Sequence, residues 1–298
     1  MRKLLVLGFV GLLAQLVDGS LGMAYGVTSS TLLLAVGVAP AAASAAVHFS
    51  EIGTSLVSGA AHTKLGNVDW RTVGILAVPG FVGAFAGATW LSSLPGDQAK
   101  PWVAGLLLAL GGYVIWRFLA LGGRRPQFKQ RPSAVFLAPM GLVAGAMDAV
   151  GGGGWGPVGT TSLLSSGRLE PRKVVGSIDT SEFVVAVGGS LGFLLALGSQ
   201  GIAWSYALAL LAGGVVAAPV AAWLVRHLPA RVLGVAAGGL IVLTNARTVL
   251  EALGADGRLV ALAAAAIAVL WVAGIVWAVR QERRTACSPE RQEAPVAA

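Results

Sequence analysis

Residues 148–161 read DAVGGGGWGPVGTT, and residues 18–31 read DGSLGMAYGVTSST. Both stretches interrupt long apolar runs, and both place an aspartate four residues ahead of a glycine, Asp18 before Gly22 and Asp148 before Gly152. Glycine is conformationally permissive and Pro157 lacks a backbone donor, so a helix is expected to break at each. The runs themselves cover 4–36 and 134–166. A continuous helix of that length would reach about 50 Å against a hydrocarbon core of about 30 Å. Each must therefore break or fold back.

Outward from these two, charged residues cut the chain into further apolar runs at 40–63, 71–94, 99–119, 171–199, 202–225, 230–250 and 258–279. The composition agrees with membrane burial: of 298 residues, 56% are hydrophobic and 11% charged, with 42 glycines and a mean hydropathy of +0.78. A soluble domain would need about a quarter of its residues charged. Disorder, collagen and a disulfide scaffold are excluded by the apolar content, the lack of a Gly-X-Y period and the single Cys287. The net charge of +8 does not form a nucleic-acid-binding face, because the Lys and Arg residues stand at segment edges as membrane anchors.

The chain also repeats itself. A shift of 130 residues pairs Gly11-Leu12 with Gly141-Leu142, Ala14 with Ala144, Asp18 with Asp148, Gly22 with Gly152, Tyr25 with Trp155, Gly26 with Gly156 and Thr31 with Thr161. A shift of 131 pairs Pro40 with Pro171 and Ser50-Glu51 with Ser181-Glu182. The expected organisation is a first membrane repeat over 1–120, a basic linker over 121–133, a second repeat over 134–250, an additional transmembrane helix over 251–279 and a disordered polar tail over 280–298. The start of the chain belongs to the first repeat and is not read as a cleaved signal peptide. The fold class is thus an all-α integral membrane protein of eight or nine transmembrane helices in two homologous repeats, each opening with a glycine-broken helix. It is expected to sit as a multi-pass protein in the cell membrane, the inner membrane of a Gram-negative source. Duplicated membrane segments with interrupted helices point to a secondary transporter whose site lies between the halves.

These features together resemble the TauE/SafE family of membrane permeases, often called sulfite exporters. The resemblance covers about 8–250 and rests on three features: the duplicated Gly-Leu-x-Ala-x-x-x-Asp-(x)3-Gly pattern at 11–22 and 141–152, the glycine run Gly151 to Gly154 with Gly156, and Thr180-Ser181-Glu182. The first repeat departs from it, with Gly22-Met23-Ala24-Tyr25-Gly26 in place of a fuller glycine run and His48-Phe49-Ser50-Glu51 in place of Asp179-Thr180-Ser181-Glu182. The resemblance implies movement of sulfite, sulfonates or related small organic or sulfur oxyanions. Proton-coupled export is the working expectation.

The residues give an independent reason to think of an anion. A broken helix leaves amide N–H groups without partners, and a half-helix N-terminus adds about half a positive charge without placing a lysine in lipid. Gly151, Gly152, Gly153, Gly154, Trp155 and Gly156 form one candidate cradle, and Gly22, Tyr25 and Gly26 a weaker one. The hydroxyls of Thr28, Ser29, Thr160 and Thr161 could donate to the same ligand. The alternative is that the glycines only let helices approach closely.

Five acids fall inside apolar segments: Asp18, Glu51, Asp148, Asp179 and Glu182. For Asp18 and Asp148, capping of the freed amides is favoured over direct proton transfer, since a carboxylate would repel a neighbouring anion. Glu51 and Glu182 are the better coupling candidates. His48, Glu51, Ser55, Ser58 and His62 make a polar stripe on an otherwise apolar helix, and Asp179, Ser181 and Glu182 stand in the corresponding segment. Burial disfavours the ionised forms of both carboxylate and imidazole, so these groups could exchange protons near neutral pH. Equally, they could pair with one another or satisfy irregular backbone.

No enzyme, cofactor or metal site is read from the chain. Three histidines and one cysteine lack zinc or di-iron spacing, and no Gly-Lys-Ser/Thr follows the glycine run. Tryptophans other than Trp155 read as an interfacial belt, and Arg117 and Arg247 as snorkelling cations. The expected partners are a small anion, the lipid bilayer and protons as coupling ion, with oligomerisation open. Two rivals remain: a cation or metal permease using the intramembrane carboxylates and unwound carbonyls, and a non-transporting membrane assembly partner.

Overall fold

The computed structural model describes residues 2–23, 25–120, 132–166, 168–224 and 230–286. Among them lie eleven α-helices, one π-helical turn and one short 3-10 turn, with no strand. The helices are α1 (Arg2–Leu21), α2 (Tyr25–Ala35), α3 (Pro40–Lys64), α4 (Trp70–Ser92), α5 (Gly96–Ala120), α6 (Ala134–Gly151), α7 (Thr161–Ser166), α8 (Pro171–Leu197), α9 (Trp204–Leu224), α10 (Ala230–Ala252) and α11 (Gly257–Ala286). The π-turn, Trp155–Thr160, runs directly into α7.

Local chemistry sets the boundaries. Pro40 and Pro171 stand at the first position of α3 and α8, where a missing N–H removes nothing from the helix. Asp69 caps α4 by accepting from the Thr72 amide and hydroxyl, both at 2.9 Å. At the two breaks the chain turns through a left-handed glycine, with φ of 66° at Gly22 and 67° at Gly152. That conformation strongly favours glycine and stops the helix within one residue. Both long apolar runs are thereby divided, 4–36 into α1 and α2, and 134–166 into α6, the π-turn and α7.

Among the described residues, seven helices are long and apolar enough to cross a membrane: Trp70–Ser92, Gln98–Trp116, Ala134–Gly151, Arg172–Leu197, Trp204–Trp223, Gly234–Ala252 and Gly257–Arg284. This is fewer than the eight or nine expected. The seven are candidates by length and composition alone: α3 has the length but carries the polar stripe, and α1 runs for 20 residues, Arg2–Leu21. The tail expectation also needs correction. Helix α11 runs through the arginine group to Ala286, because Arg283 and Arg284 in its last turn meet the negative end of the helix dipole. Residues 121–131 of the basic linker, the Arg117 side chain, His227 and Cys287 with the rest of the tail lie outside the described residues.

The polar helix α3 is enclosed against α8 and α9, while α4 lies along α6 and α8, α1 along α9 and α5 along α10. The apolar span of α11 packs on α10 and is otherwise almost wholly exposed. Lipid offers no hydrophobic drive between helices, so close backbone approach has to hold them together. Glycines provide it: a Cβ on Gly83 or Gly145 would collide with backbone across the α4–α6 crossing, and one on Gly11 or Gly213 across α1–α9. Trp70, Trp90, Trp102, Trp116, Trp204, Trp223 and Trp277 are exposed, as an interfacial belt requires. Gly145→Leu is expected to force α4 and α6 apart and to lower stability by about 1–3 kcal/mol. Thermal unfolding in detergent checks it, with Gly105→Leu as control because a Cβ there meets nothing within 4 Å.

Candidate functional site

The two breaks meet at the centre of the helix bundle, and each is closed by its own aspartate. After Gly22 the chain restarts as α2, and Asp18 Oδ1 accepts from the Tyr25 amide at 3.2 Å. After Gly152 it restarts at the π-turn, and Asp148 Oδ1 accepts from the Trp155 amide at 2.9 Å. The backbone carbonyls of the same residues accept from Gly22 N, at 2.5 Å, and Gly153 N, at 3.1 Å. Two of the amides freed by each interruption thus find partners within their own break.

Each break is also tied to the other. The Thr160 hydroxyl donates to the Gly22 carbonyl, and the Ser30 hydroxyl donates to the Gly152 carbonyl at 3.3 Å. A Cβ on Gly26 would strike the Gly152 carbonyl, and one on Gly156 the Gly22 carbonyl and the Met23 backbone. Gly153 faces the Val27 backbone in the same way, whereas Gly151 meets only leucine side chains of α5. Gly154, in the interruption itself, lies against Met147 and Asp148 of α6. Close approach therefore accounts for much of the glycine content of the proposed cradle.

Tyr25 and Trp155, the aromatics that restart the two helices, are fully buried. Tyr25 donates to Ser50 Oγ at 3.0 Å, and Ser50 in turn to the Val47 carbonyl. The Trp155 indole donates to the Ile178 carbonyl at 3.1 Å, which also accepts from Ser181. Thr161 donates to the Pro157 carbonyl and accepts from Tyr113 at 2.9 Å. Ser29 is buried with no hydrogen-bond partner, and Thr28 is half-buried. Arg247 lies apart from the breaks, paired with Glu251 at 2.8 Å in the exposed part of α10.

The five acids of the apolar segments, all buried, fall into two groups around the breaks. Asp148 joins His48 and Glu51 of α3, and Asp18 joins Asp179 and Glu182 of α8; within each group one potential ligand atom per residue lies within 4.8 Å of the others. His48 Nε2 is 3.3 Å from Asp148 Oδ2, and its Nδ1 donates to the Ser44 carbonyl at 3.0 Å and stands 4.0 Å from Glu51 Oε2. In the second group Ser55 donates to Glu182 at 3.0 Å, Ser58 donates to Asp179, and His62 Nε2 lies 3.4 Å from Asp179. His62 Nε2 also donates to the Gly19 carbonyl at 3.2 Å, and its Nδ1 faces the Asn67 amide nitrogen at 3.2 Å. Unpartnered among the buried atoms are both oxygens of Glu51, Asp148 Oδ2, Asp179 Oδ1 and His48 Nε2. No Lys or Arg is buried among the described residues.

The structure thus gathers His48, Glu51, Asp148, Asp18, Asp179 and Glu182 around the breaks, with Tyr25, Trp155 and Thr160 beside them. Sequence reasoning missed Ser44, Ser30 and Asn67. Ser44 stood in plain sight at one helical turn from His48, where it also donates to the Ala149 carbonyl at 2.6 Å. Ser30 and Asn67 act across the fold and carry no local signal. Gly152→Ala is expected to be poorly tolerated, because it strains a positive φ and strikes Ser30. Asp148→Ala is expected to lose about 1–3 kcal/mol by orphaning the Trp155 amide. Size-exclusion yield and melting temperature of the purified variants check both.

Residues 7–248 match the family described as Sulfite exporter TauE/SafE. The chain is 50% identical over 282 residues to "Probable membrane transporter protein YtnM" of Bacillus subtilis (strain 168), covering 93% of each chain. No solved structure matches it.

Proposed function

We propose that this chain, which belongs to the sulfite exporter TauE/SafE family and is a membrane transporter rather than an enzyme, moves a small sulfur-containing or related organic anion together with protons. The observation that carries this reading is the charge balance at the crossed breaks. Five acids are buried there and no Lys or Arg is buried among the described residues. Apart from Asp148, which faces the His48 imidazole, these carboxylates have no fixed cation to neutralise them, so protons do. Protonated, the acids no longer repel an anion, and the N-terminal ends of α2 and of the π-turn offer it a positive field.

Two homologous halves, over 1–120 and 134–250, would let the site be reached from either side in turn. Supporting this are correspondences at the expected shift: Ser30 reaches Gly152 as Thr160 reaches Gly22, and Asp18 holds Tyr25 as Asp148 holds Trp155. Packing corresponds too, α4 against α6 and α8 as α9 against α1 and α3. Residues 251–279 then supply an added helix outside the paired body, and the cell membrane is the proposed location.

The test is flux in proteoliposomes holding only this protein, with sulfite, thiosulfate, a short organosulfonate and divalent cations compared at two pH values. Saturable anion flux that responds to a proton gradient is expected. Cation flux would reverse the sign of the site, and the absence of any flux in well-folded vesicles would favour an assembly partner. Glu182→Gln is expected to abolish proton-driven anion flux while leaving membrane insertion intact; unchanged pH-dependent flux would remove Glu182 from the coupling.

A further inference from the structure

Asp148 uses its two oxygens for different tasks. Oδ1 closes the second break by accepting from the Trp155 amide, whereas Oδ2 makes no hydrogen bond and faces His48 Nε2 at 3.3 Å. That separation suits a charge pair, although the alignment falls short of a hydrogen bond. The other ring nitrogen is committed to the Ser44 carbonyl, which can only accept. The Ser44 hydroxyl, 3.5 Å from the same nitrogen, spends its proton on the Ala149 carbonyl, so with Asp148 ionised both nitrogens of His48 face oxygen acceptors and the ring carries two protons. His62 differs, since its Nδ1 faces an amide nitrogen and its ring is satisfied with one proton.

Around His48 stand Glu51 on its own helix and Asp148 from α6. From α8 it meets only the uncharged Gly189 and the edge of Phe193, with ring centroids 5.7 Å apart. Removing the second proton would turn a nitrogen lone pair towards Asp148 Oδ2 at a site sealed from water. The repulsion would act on the carboxylate that holds Trp155 in place.

We propose that the proton on His48 is the latch of the second broken helix: with it, Asp148 is held and the break stays closed, and without it Asp148 lets go of the Trp155 amide and the break loosens. His48 thereby acts as a positioning residue that converts proton occupancy into the conformation of the π-turn. The first break is built differently: Asp18 stands with Asp179 and Glu182, and its imidazole, His62, lies against Asp179 and the Gly19 carbonyl rather than against the capping aspartate. The link to transport rests on the proton-coupled reading given above, but the latch itself does not.

Hydrogen exchange of the purified full chain, read across a pH series by mass spectrometry, tests it. The amides of residues 153–158 in the wild type are expected to lose protection above the titration of His48, by up to about tenfold per pH unit beyond the intrinsic base-catalysed rise. Peptides over residues 258–276 of α11, which packs on α10, serve as internal control and keep a constant protection factor. His48→Gln, whose neutral amide can donate to Asp148 Oδ2, is expected to flatten the profile at 153–158. Asp148→Asn should do the same by another route, since its oxygen still accepts from Trp155 and its amide can donate to an unprotonated His48. A wild-type profile that is flat at 153–158, or a His48→Gln or Asp148→Asn profile that falls in parallel with the wild type, would overturn the latch. Sulfite flux measured on the same preparations is a separate readout: its absence strikes the carrier reading, while the exchange profiles still decide the latch.

Discussion

The fold depends on one kind of contact, a carboxylate accepting the first amide of a restarting helix. In water an interrupted helix is a minor matter, because solvent takes the orphaned N–H groups. In hydrocarbon each such group left alone costs several kcal/mol. Asp18 and Asp148 solve this from within the same chain segment, seven residues upstream of Tyr25 and Trp155. Once the breaks are stable they can cross, with the glycines allowing backbone to lie on backbone. The polar helices α3 and α8 then pack around the crossing, and the more apolar helices enclose them.

The same solution creates an electrostatic problem. An aspartate that must remain an acceptor for an amide carries its second oxygen into a low-dielectric interior. The two breaks meet that problem differently: Asp148 itself faces an imidazole, with Glu51 beside it, whereas Asp18 stands with two further carboxylates to which serine hydroxyls and His62 are turned. Near-equivalent backbone geometry is thus paired with unequal surroundings, and on the proposed latch the two ends of the crossing would answer differently to pH. A carrier needs some element whose energy changes with the driving ion, and such an inequality provides one.

Much of this was legible in the sequence, and the remainder was hidden for identifiable reasons. The breaks could be read because Asp-(x)3-Gly occurs twice inside apolar runs too long for one crossing. The stripe His48, Glu51, Ser55, Ser58 and His62 could be read because helical spacing is local. The pairing of His48 with Asp148 could not, since the two lie on separate helices and neither position names its partner. Similarly, nothing near Ser30 or Thr160 reveals that each reaches the opposite break. The glycine run suggested an open cradle, whereas several of its members are filled by neighbouring backbone. The expectation of eight or nine spans counted α1 and α3 by length, whereas the polar stripe of α3 keeps it out of the seven candidates among the described residues.

The polarity of α3 bears on how the protein is made. This helix carries buried His48, Glu51 and His62, and among its neighbours α8 and α9 cover it most extensively. Those helices lie in the later part of the chain, beginning at Pro171 and Trp204. During synthesis, then, α3 reaches the membrane well before the surfaces that shield it exist. Until α8 and α9 emerge, its charged groups require a substitute environment, such as the water-filled wall of the insertion machinery or a position at the bilayer surface. The first half is therefore not an independently finished unit, and assembly is completed only when the second half closes over it.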